Sequence, residues 1–88
     1  MEEMDDTRSP AEEDAVVEAA VLSQLLALHP VQVTVEELLR EIADDPEDFE
    51  ERDAIERAVR DLAGAGLVHR LEDFAIPSRA ALRFDELL

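Results

Sequence analysis

The stretch Asp44–Ile76, DDPEDFEERDAIERAVRDLAGAGLVHRLEDFAI, decides how the rest of this chain is read. Asp44-Asp45-Pro46 stops a helix, because proline pushes the residue before it out of α geometry. Asp45 is placed to cap a single turn begun by Pro46. Phe49 is out of phase with the apolar row of the next helix, so it is expected in the turn, plugging the gap between the second and third helices. From Glu51 to Ala63, Ile55, Ala58, Val59 and Leu62 recur at helical spacing and predict one buried row. Gly64 or Gly66 then supplies the left-handed geometry that ends the helix. Leu67–Leu71 and Phe74–Ile76 alternate on either side of Glu72-Asp73, a hairpin pattern whose turn lacks the usual glycine or asparagine.

Working towards the N-terminus, TVEELLREIA opens with Thr34 as N-cap and Glu37 three residues on, the pattern of a capping box. Val33 and Leu38 are spaced as its hydrophobic staple. Val35, Leu38, Leu39 and Ile42 form the predicted buried stripe of this second helix. Val31-Gln32-Val33 suits a short strand or an extended linker. The first helix is expected over Ala15–Leu28, with Val17, Val21, Leu25 and Leu28 inward and Leu22 widening the row. Leu26, Ala19 and Ala27 lie well off that row, so the helix is apolar nearly all round. Such a helix wants cover on two sides, from the C-terminal helix or from a second subunit. Residues 1–14 show no helical period and are expected to be a disordered acidic tail, leaving 15–88 as the domain. Beyond the hairpin, Ser78 can cap a last helix, RAALRFDELL, with Ala81, Phe84 and Leu88 on one side. Those three are placed either to complete the core or to dock a partner chain.

Charge limits the partners. The chain has 88 residues, with 24 acids, eight arginines, no lysine and a net charge of −16. Residues 1–14 hold seven acids and one arginine, so 17 acids and seven arginines remain in the domain itself. Such a surface repels phosphate backbones and anionic membranes at long range. There is no cysteine, which removes disulfides, thiolate metal sites and a thiol nucleophile. No apolar run approaches the ~20 residues needed to span a bilayer, and the N-terminus is acidic where a signal peptide is basic. The expectation is a soluble cytoplasmic protein.

The order helix, short strand, helix, turn, helix, GAGLVHR, hairpin resembles a winged helix-turn-helix domain over about residues 15–88. RDAIERAVRDLAGAGLVHR is similar to the third helix and first wing strand of many small bacterial winged-helix proteins, and IPSRAALRFDEL resembles their exit from the wing. The fold class this implies is mainly α with a small β-hairpin: a three-helix core, a wing over 67–77 and a C-terminal helix. In DNA-binding members the exposed side of the third helix enters the major groove, where cationic and amide side chains read base edges. Carried onto this chain, that side holds Asp53, Glu56, Arg57, Arg60 and Asp61, with Arg70, Glu72 and Asp73 on the wing. Residues 46–63 carry seven acids against Arg52, Arg57 and Arg60. The pairs Asp53–Arg57 and Glu56–Arg60 are spaced to neutralise part of that positive charge.

No catalytic constellation is visible. Thr7, Ser9, Ser23, Thr34 and Ser78 have only His29 and His69 as candidate bases, without a surrounding motif. The acids from Asp44 to Asp48 lack the glycine and terminal glutamate of a calcium loop. No glycine loop cradles phosphate, and no cofactor or metal is implied. The expected function is a non-catalytic regulatory module that presents its acidic third helix and wing to a protein partner with a basic surface. The alternative is a DNA-binding transcriptional regulator acting through 51–63 and 67–77 as a homodimer, a role the net charge opposes.

Overall fold

The computed structural model describes residues 9–88. The element order is α1 (Pro10–Leu28), β1 (Val33–Thr34), α2 (Val35–Ile42), α3 (Phe49–Gly64), β2 (Val68–Leu71), β3 (Phe74–Pro77) and α4 (Arg79–Leu87). The chain is therefore mainly helical, with one small antiparallel sheet.

Short-range chemistry sets most of these boundaries. The Thr34 hydroxyl accepts the Glu37 N–H at 3.1 Å, and the Glu37 carboxylate accepts the Thr34 N–H at 2.8 Å. Ser78 caps α4, its Oγ accepting the Ala81 N–H at 3.2 Å. Gly66, at φ 84°, takes the left-handed position after α3.

The expected tail needs correction. A second capping box, Ser9 with Glu12 and Pro10 at the first helical position, starts α1 at Pro10 rather than Ala15. Residues 9–14 thus belong to the folded domain, while the expectation for residues 1–8 lies outside the described residues. The α2–α3 turn also differs. Asp45 accepts the Glu47 N–H in a local side-chain turn, and Asp48 is the cap that starts α3.

Of Val31-Gln32-Val33 only Val33 enters a strand, the two-residue β1 with Thr34, which enlarges the hairpin to a three-stranded sheet ordered β1-β3-β2. Val33 pairs with Ala75 and Val68 with Pro77, so β3 is central. Those β-strands bring Val33, Val68 and Ala75 to the same core as Val21, Leu25, Leu38, Leu39, Ile55, Ala58, Val59 and Leu62. Each fully buried leucine or valine there contributes about 1.5–3 kcal/mol over its exposed state. Leu28 is not among them. It lies at the exposed end of α1, where the chain turns out at His29-Pro30.

Candidate interaction surface

The buried row of α3 fixes its rotation, and the rotation brings Phe49, Asp53, Glu56 and Arg60 out on one side. Their spacing is i, i+4, i+7, i+11, and all four are exposed. Phe49 is the correction here. It is not in the turn and plugs nothing; it is the first residue of α3 and is 79% exposed. The cause is polar: the Asp48 carboxylate accepts the Glu50 N–H at 2.8 Å, which begins the helix at Phe49. The turn itself is closed by the Asp44 N–H donating to Glu51 Oε1 at 2.7 Å.

The arginines are largely committed. Arg57 donates to Asp53 at 2.7 Å, the expected pair, and also to Asp14 of α1 at 3.0 Å. The Asp14 bond, more than the Asp53 contact, raises the Arg57 pKa and ties α1 to the outer side of α3. The expected Glu56–Arg60 pair does not form; Arg60 instead leans towards Asp61 at 3.9 Å. Arg52 makes a two-pronged contact with Glu36 of α2, at 3.2 Å on each nitrogen. That hydrogen bond, reinforced by the guanidinium charge, holds the Glu36 carboxyl below its ordinary value of 4.5.

The hairpin completes the surface. Glu72 sits at φ 55°, doing in the two-residue turn what asparagine or glycine usually does. Arg70 Nε donates to the Glu72 carbonyl at 3.1 Å, and the Val35 N–H donates to the Asp73 carbonyl at 2.9 Å. These bonds hold the turn against the start of α2. Between them opens a cleft of about 300 Å³ lined by Thr34, Val35, Glu36, Glu56, Arg70 and Asp73.

Of the residues predicted from the sequence, Glu56, Arg70 and Asp73 therefore meet in one cleft. Asp53 and Arg57 form a bridge to α1 instead, Arg60 and Asp61 lie side by side, and Glu72 stands at the hairpin tip. Sequence reasoning missed Glu36, Arg52, Asp14 and Phe49. Only Asp14 and Phe49 had a local signal, in the S-P-x-E box and in Asp48 as a cap. The hydroxyls of Ser9, Thr34 and Ser78 each cap a helix. The surface as built offers carboxylates, one aromatic face and few uncommitted cations. No family model, curated protein or solved structure matches this chain.

Proposed function

We propose that this chain is a winged-helix module, with α2 and α3 as the helix-turn-helix and the hairpin as the wing, that works by binding a protein with a basic surface. The observation that carries this reading is Phe49, a fully presented aromatic heading the stripe that continues through Asp53 and Glu56. Aromatic side chains supply much of the energy in protein interfaces, and the surrounding charges select the partner and speed its approach. Duplex DNA offers no positive charge for the carboxylates. Arg57 is already held by two carboxylates, and the remaining stripe cation, Arg60, stands beside Asp61.

The test pairs recovery of partners from the native cell with titration of random duplex DNA. A basic protein retained by the wild-type chain and lost by both Phe49→Ala and the Asp53→Arg/Glu56→Arg double variant is the expected result. Sub-micromolar binding to DNA that weakens steeply with salt would overturn the proposal in favour of a DNA-binding regulator.

A further inference from the structure

The opposite side of the molecule is built differently. α1 packs its Val21 and Leu25 side into the core, yet its other side is equally apolar, and α4 covers it only in part. A groove of about 390 Å³ runs between the two helices, with Ala19, Leu22 and Leu26 on α1, Phe84 and Asp85 on α4 and Leu88 just beyond it. The placement of Phe84 and Leu88 in the core fails: of the three residues assigned to that side of α4, only Ala81 is buried. Phe84 is 60% exposed, Leu88 85%, and Leu87, one turn on from Phe84, 65%.

We infer that this α1–α4 face is a self-association surface and that its occupant is a second copy of the chain, related by a two-fold axis. Charge decides the occupant. In a chain of net charge −16, the segment Ala19–Val35 contains no aspartate, glutamate or arginine. On α4, Arg79, Arg83 and Glu86 lie on the side away from the groove, with Arg83 binding Glu86 at 3.2 Å, and Asp85 is the one charged side chain that lines it. The face, with that single carboxylate, is thus the least charged part of an acidic molecule. A basic partner gains less from the field there than on the carboxylate-rich α3–hairpin side, whereas two acidic copies can meet there with their most strongly repelling surfaces turned away.

Shape agrees with a two-fold pairing. Phe84 projects beside a groove floored in part by Ala19, so the knob and the hole lie on one face. An isologous contact requires that arrangement, because each copy must offer what the other takes. Size agrees as well. With ~150–200 Å² for a fully exposed large side chain, the exposed parts of Phe84, Leu87, Leu88 and the α1 wall reach about 500 Å² per copy, near the lower bound for a specific dimer.

The deciding measurement is sedimentation of the full chain from micromolar to sub-millimolar concentration. The expected species has twice the 9.8 kDa chain mass. Phe84→Asp weakens the association about tenfold or more, while Leu71→Asp, at a comparably exposed apolar residue on the hairpin, leaves it unchanged. Added salt strengthens the dimer by screening the two acidic bodies. Far-UV circular dichroism of both variants separates lost association from lost folding, and Leu87→Asp repeats the test if Phe84→Asp unfolds. A monomer at all concentrations, a larger open assembly, or a dimer broken by Leu71→Asp but not by either α4 change overturns the inference. A monomer would leave the groove to a different chain.

Discussion

The α3–hairpin face and the α1–α4 face rest on one small core and differ in their chemistry. The first carries Asp53, Glu56 and Asp73 around few uncommitted cations, with a single ring, Phe49, at its head. The second carries exposed Phe84, Leu87 and Leu88, with Asp85 as the one charged side chain lining its groove. Under the proposed reading, long-range attraction and selectivity come from the charged face, where salt weakens binding. Under the self-association we infer, cohesion on the apolar face comes from removing apolar surface from water, and salt helps it by screening repulsion. In this chain, charge segregation along α1 is what keeps the two apart: Glu12, Glu13, Asp14 and Glu18 all precede Ala19. Asp14 serves the acidic side through Arg57, and the second half of the helix serves the other.

The largest expected effect comes from removing the support that both faces share. Leu38→Ala empties a fully buried site and should cost about 2–5 kcal/mol in urea unfolding, with both binding activities lost together. Phe49→Ala should separate the faces. Partner affinity is expected to fall about 30-fold while self-association and unfolding stability stay within error, since the ring is solvent-exposed. An equal loss in sedimentation would show that the two faces are one.

Smaller changes probe how the acidic face is held. Thr34→Ala removes the cap at the mouth of the cleft and should lower stability by about 1 kcal/mol in thermal unfolding, without altering dimer mass. Glu72→Asn relieves the left-handed turn residue and should raise stability by about 0.5–1 kcal/mol. The pH dependence is the gentlest probe. The Arg52 hydrogen bond depresses the Glu36 pKa, and the Thr34 backbone N–H does the same for Glu37, with help from the hydroxyl. Depressed folded values mean that the two contributions are complete above the ordinary value of 4.5 and are lost as pH falls through the lowered ones. Melting temperature should therefore decline on acidification below that point, and Glu36→Gln should flatten part of the slope. A slope unchanged in that variant would remove Glu36 from the account.

Much of the architecture was legible because its causes are local. The Thr34–Glu37 box, the Ser78 cap, the α3 row and the glycine after it all act within about one helical turn. The same box rule applied at Ser9-Pro10-Ala11-Glu12, where the surrounding acids and the missing apolar period pointed to a tail. The hydrogen bonds outweigh that composition, and α1 gains Asp14. Phe49 lies off the apolar row, as its phase indicates, yet stands inside the helix because Asp48 sets the helix start one residue before it. For the candidate surface, the sequence identified Glu56, Arg70 and Asp73 as individual residues but could not bring them to one cleft.

What the sequence by itself determined was a set of helices with their inward rows, their caps and a strongly acidic charge. Tertiary structure alone decided that β1 would pair with β3, that Arg52 would reach Glu36, and that Arg57 would bind Asp14 across 43 residues. It also decided that α4 would bury Ala81 and leave Phe84 in solvent. The physical reason is range. Capping bonds and helical periodicity are complete within a few residues of chain, whereas a salt bridge between helices or an open groove exists only once the core has set the distance and rotation of its walls.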